Sequence, residues 1–117
     1  YITADNNERL SQAMKGVAIT EMRHHAMLGE AIAMMGGDPI IGGSTCFWSG
    51  SNVNYIKNPI AFLQHDIMME KLAIANHSKA AACVKNPTLS ELMLRIVKDE
   101  ELHVAIFKEL LDELTAQ

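Results

Sequence analysis

The sequence predicts an all-α fold: three long helices, near 5–35, 59–85 and 88–115, form an up-down bundle with one long crossover loop over 36–57. Three observations predict it. Apolar residues recur in steps of four and three along each stretch, the period of a helix with one buried face. Hydrophobic residues make up 49% of the chain but aromatic residues only 5%, with eight Met, a balance that favours packed helices over a sheet. Helix-start and helix-stop residues stand at the ends of the periodic stretches. At 117 residues the chain suits one domain, 1–117, with a modest single core.

The first stretch carries the seam Leu10, Met14, Val17, Glu21, His24, Leu28, Ala31, Met35. Asp5 reads as its N-cap, and Gly36-Gly37-Asp38-Pro39 as its stop, with Gly at the end and Pro just beyond. Gly16 is a weak point inside it, tolerable at about 1 kcal/mol. Residues 36–57 are rich in Gly and Ser and show neither helical nor strand period. A loop of that length can travel along a bundle, so the helices it joins are expected to be parallel crossover neighbours. Phe47, Trp48 and Tyr55 are expected to pin it.

Asn58-Pro59 opens the second helix, Asn as N-cap and Pro at the first helical position. Its seam reads Ile60, Leu63, Ile67, Glu70, Ile74, His77, Ala81, Val84, while Gln64, His65, Lys71 and Lys79 lie off it on a solvated face. Asn86-Pro87 ends this helix, and Thr88-Leu89-Ser90-Glu91 reads as a capping box for the third. So short a link makes the last two helices an antiparallel hairpin. The third seam is Leu89, Met93, Ile96, Glu100, His103, Phe107, Leu110, Leu114.

Two of these seams are apolar except for Glu-x-x-His at the centre: Glu21 with His24, and Glu100 with His103. Residues three apart lie one above the other on a helix, so each pair points into one small volume. An ionised carboxylate in a helical core is costly unless a cation pairs with it, and a metal ion is one such cation. Glu70 stands about 16 residues before the turn and Glu100 about 13 after it. At ~1.5 Å per residue the mismatch is only ~5 Å, so the two face each other. One Glu-x-x-His arises easily by chance; two such pairs and a third Glu at one level do not. Carboxylate and imidazole together suit iron, manganese or zinc, and carboxylates placed for sharing suit two ions.

The other polar residues have plainer readings. His77, two turns on from Glu70, reads as a supporting or plain core residue, and His25 and His65 as surface residues. Glu101 and Asp99 read as solvent-facing, Asp99 being the one able to support a histidine. Met22, Met27, Met34, Met35, Met68 and Met69 read as core and interface packing, and Cys83 as a small buried residue; Cys46 is left open.

The stretches EMRH at 21–24, IMMEKLAI at 67–74 and DEELH at 99–103 resemble the ferritin-like superfamily, nearest its rubrerythrin and manganese-catalase branch. The resemblance spans nearly the whole chain and implies a four-helix bundle holding two metal ions, iron or manganese, with zinc as a substitute in isolated protein. It implies that Glu21 and Glu100 bridge the ions, that His24 caps one, and that Glu70 and His103 serve the other. Such bundles take a lone Glu from each of two helices and Glu-x-x-His from the other two. Here three helices are found, and the missing Glu would precede Glu21 by about the 30 residues that separate Glu70 from Glu100. Glu8 is no substitute, lying 13 residues from Glu21, ~20 Å along the same axis. The expectation is that the first helix is cleaved, unordered or supplied by another chain.

The function expected from the resemblance is peroxide or oxygen chemistry, as peroxidase, catalase or oxidase. Iron oxidation and storage without turnover, or a bundle merely held together by metal, are the alternatives. With two cysteines the chain has no four-cysteine iron module, so a peroxidase cycle would need an external electron donor. An open apolar groove implies a homo-oligomer, at least a dimer. A net charge of −4 without a basic run argues against nucleic acid. No apolar run approaches the ~20 residues that span a membrane, and the expected location is cytoplasmic.

Overall fold

The computed structural model describes residues 8–37 and 58–116. They form three helices, α1 (Glu8–Met34), α2 (Pro59–Cys83) and α3 (Pro87–Thr115), with no strand among the described residues. Asp5, the residues beyond Gly37 in the expected helix stop, the aromatic residues of the loop and Cys46 lie outside the described residues.

The ends of the helices follow from local chemistry. Asn58 Oδ1 accepts from the backbone N–H groups of Ile60 (2.9 Å) and Ala61 (3.1 Å), and Pro59 needs no partner at the first helical position. Asn86 repeats the device, accepting from Thr88 N (3.0 Å) and Leu89 N (3.1 Å). The expected capping box at Thr88 is therefore wrong. Asn86-Pro87 starts α3 as well as following α2, Thr88 is already helical, and Ser90 Oγ instead donates to the Ala81 carbonyl at 2.8 Å. Helix α2 stops at Cys83, two residues short of expectation, because the chain turns extended at Val84 and stays extended at Asn86 before the proline. At the end of α1, Gly36 takes φ +84°, a left-handed conformation natural only to glycine, and Gly37 N donates to Ile32 O at 2.9 Å.

Helix α3 is the common partner. Across the tight turn α2 and α3 form a closely packed antiparallel hairpin. Helix α1 approaches α3 more sparingly, also antiparallel, since Arg9 near its start pairs with Glu109 (3.0 Å) and Glu113 near the end of α3. Helices α1 and α2 consequently run parallel, the crossover arrangement, with no close backbone approach to each other.

The three seams are the inward faces. Leu10, Leu63, Ile67, Val104, Phe107 and Leu110 form the buried cluster, flanked by Met14, Val17 and Ile74. Each large aliphatic or aromatic side chain so enclosed contributes roughly 1.5–3 kcal/mol. This cluster fills the end of the bundle where α1 and α2 begin and α3 ends. Beyond the middle, Ile96, Val97 and Ala81 are buried again. Between the two apolar zones lies a polar layer.

Two readings of the sequence need correction. Met22, Met34, Met68 and Met69 are exposed, not core, because they fall off the seams; Met35, on the seam, is exposed because it lies just past the last residue of α1, and Met27 is half-buried. Cys83 is exposed too, as the last residue of α2, where Ala81 takes the inward position.

Candidate metal centre

The polar layer is built from all five of the residues singled out by spacing. Glu100, His103 and His24 are 2%, 3% and 4% exposed, and Glu21 and Glu70 are half-buried. Ligand atoms of Glu21, Glu70, Glu100 and His103 lie within 4.8 Å of one another. His103 Nδ1 is 3.3 Å from Glu21 Oε1 and 3.5 Å from Glu70 Oε1. His24 Nδ1 is 3.8 Å from Glu21 Oε2 and 3.7 Å from Glu100 Oε1. The two oxygens of Glu21 thus face two different imidazoles.

These contacts are close without being hydrogen bonds. Glu21 Oε1, His24 Nδ1, Glu70 Oε2, His77 Nδ1 and His103 Nδ1 are all buried and unpaired. Each such atom normally costs about 1–3 kcal/mol to leave unsatisfied, and five in one layer is far more than a folded core tolerates idly. Donor atoms bound ~2.1 Å from one ion stand roughly 3–3.5 Å apart, close to the spacings here. The residues fit a metal ion.

The other nitrogen of His24 fixes the direction of its ring. His24 Nε2 donates to Asp99 Oδ2 at 2.8 Å, which turns Nδ1 toward the carboxylates. Asp99 is half-exposed and works from outside the layer. It borders an open depression of about 390 Å³ lined also by Arg23, Arg95 and Lys98. On the opposite side, Phe107 sits one turn below His103 with ring centroids 6.4 Å apart and closes the layer against the apolar cluster.

Burial and crowded like charges perturb the ionisation of the layer. Burial, and then the neighbouring carboxylates Glu70 and Glu21, push the Glu100 carboxyl well above the ordinary range. Burial would raise Glu70 as well, but contacts with His103 and with protonated Glu100 outweigh it and hold Glu70 below its usual value. Burial alone would lower His103, yet Glu21 and Glu70 override it and raise His103 to about 9. In the layer, Glu100 and His103 are thus drawn toward their protonated forms and Glu70 toward its ionised form.

Sequence spacing underrated two residues. His77 Nδ1 reaches within 3.9 Å of Glu100 Oε1, and the signal for it was its place on the seam two turns from Glu70. Asp99 holds His24, although its position only allowed such a contact. His25 and Glu101 are exposed, and His65 is half-buried outside the layer.

A family model described as a ferritin-like domain matches residues 1–116. The chain belongs to that family. Among curated proteins and among solved structures nothing matches it. The ferritin-like bundle and the Glu/His cluster are therefore two observations that agree: the family builds metal sites from inward carboxylates and histidines on facing helices. Among the described residues no helix is long and apolar enough to cross a membrane.

Proposed function

We propose that this ferritin-like chain is a dimetal-carboxylate protein of the rubrerythrin and manganese-catalase branch, acting on peroxide or oxygen. One observation carries the dinuclear reading: the two oxygens of Glu21 face different imidazoles, His103 at 3.3 Å and His24 at 3.8 Å. In this reading Glu21 and Glu100 are shared between two positions, His24 serves one, and Glu70 and His103 serve the other. A bound pair of iron or manganese ions supplies the change of oxidation state that peroxide or oxygen chemistry needs. The chain's own groups do the rest. Asp99 orients His24, the apolar zones on either side exclude bulk water, and the buried carboxylates keep the ions together.

Electrons for net peroxide reduction come from an external donor in this reading; in disproportionation a second peroxide supplies them. The groove between α1 and α2 is lined by Met14, Val17 and Met69 with Phe107 at its floor, and Glu70 opens onto it. We propose that a second copy of the chain covers this groove and shields the centre. Sedimentation of the metal-loaded protein as a monomer would remove that part of the reading.

The activity is tested by loading metal-free protein with iron(II) or manganese(II) and following peroxide. Consumption over many equivalents per chain supports the enzyme. Two ions bound with no turnover would leave a storage or structural centre in its place.

A further inference from the structure

One half-buried imidazole has no task in the scheme above. His77 Nδ1 is enclosed, has no hydrogen-bond partner and lies 3.9 Å from Glu100 Oε1. His24 Nδ1, equally unpaired, stands 3.7 Å from the same oxygen. Two ring nitrogens on different helices converge on one carboxylate oxygen without bonding to it. The side chain is 29% exposed, so a turn of the ring would bring Nδ1 to water, yet it is Nδ1 that faces the carboxylate.

The register explains how His77 reaches the layer. Helix α2 runs antiparallel to α3, and Glu100 stands opposite the stretch between Glu70 and His77. Side chains on a helix lean toward its N-terminus, so an imidazole at 77 leans back toward the layer. The carboxylates that cluster in the layer are three, Glu21, Glu70 and Glu100. The position beside His103 takes Glu70 as its own carboxylate, whereas the position beside His24 has none beyond the two that are shared.

We infer that His77, through Nδ1, is the ligand that completes the metal position formed by Glu21, His24 and Glu100, an assignment that rests on the dinuclear reading above. The two positions then differ in kind. One has three carboxylates within reach of a single imidazole; the other has two carboxylates and two imidazoles. Three carboxylates against two divalent ions leave one positive charge uncompensated, so the His77 position favours divalent over trivalent ions. Its extra nitrogen also favours zinc and cobalt over manganese.

Metal-free protein titrated with cobalt(II), followed by its visible absorption and by calorimetry, tests the assignment. Wild type is expected to bind two ions per chain. His77→Ala should keep the first ion and weaken the second roughly ten-fold or more, the least that loss of a ligand brings. His77→Gln, which preserves volume, should do the same with unchanged helicity by circular dichroism, and Glu101→Ala, on the exposed face, should match wild type. His77→Glu should restore the second ion and shift its preference from zinc toward manganese. Unchanged affinity for the second ion in both His77→Ala and His77→Gln would overturn the assignment while leaving a dinuclear centre standing. A wild-type chain that binds no ion would overturn the centre itself, and this assignment with it.

Discussion

Without metal, Glu100 and His103 are both drawn toward their protonated forms. Burial and neighbouring carboxylates push Glu100 upward, and Glu21 and Glu70 hold His103 at about 9 against the opposing effect of burial. Metal ligation needs a carboxylate and a neutral imidazole, so binding must expel both protons. Both groups titrate above neutrality, which fixes the sign: affinity rises with pH across the neutral range. Each displaced proton contributes about ten-fold per pH unit, or about a hundred-fold for two. Titrations between pH 6 and 8, with proton release read in weak buffer, should show this slope; a flat affinity would mean that the protons are not there. Glu21, His24, Glu100 and His103 were readable in the sequence because Glu-x-x-His interrupts an otherwise apolar seam. What His77 and Asp99 do was not readable, since it depends on where a ring nitrogen turns once two helices have docked. The exposed Met22 and Cys83 were misread for the opposite reason, because apolar character alone does not place a residue on the inward face.

At the scale of the helices, local signals decided most of the architecture. The seams, the Asn58-Pro59 start and the break at Asn86-Pro87 were sufficient to place α2 and α3 within two residues, and the parallel course of α1 and α2 followed from the length of the segment between them. Where two start signals overlapped, at Asn86-Pro87 and Thr88, the earlier one prevailed: a cap that satisfies two backbone N–H groups ahead of a proline leaves nothing for a later cap to do. Helix α1 is the least secured of the three. It fully buries only Leu10 and His24, and it carries Gly16 in its interior on an exposed face. A Cβ built at Gly16 meets nothing within 4 Å. Gly16→Ala should therefore stabilise the chain by about 1 kcal/mol, raising Tm by several degrees with metal affinity unchanged. A fall in Tm would show that this face of α1 is covered in solution.

The described helices form a tight hairpin with a third helix lying against it, and two of its contacts differ in kind. Near one end, Leu10 enters the apolar cluster and Arg9 pairs with Glu109 and Glu113 on the surface, where ion pairs contribute only about 0–1 kcal/mol. In the middle, Glu21 and His24 of α1 meet Glu70 of α2 and Glu100 and His103 of α3. Bound metal would convert that meeting point from a set of unpaired donors into a cross-link of all three helices. An ion present at a hundred times its Kd adds about 2.7 kcal/mol to stability, a large share of what a chain of this size possesses. Stripping the metal with a chelator should accordingly lower Tm by roughly 10 °C or more. The loss should also be uneven. Amide hydrogen exchange should accelerate first and most along α1, whose hold on the bundle depends on the centre, while the α2–α3 hairpin keeps its protection until global unfolding. Equal Tm with and without metal, or exchange that quickens equally in all three helices, would show that the centre does not hold α1 to the bundle.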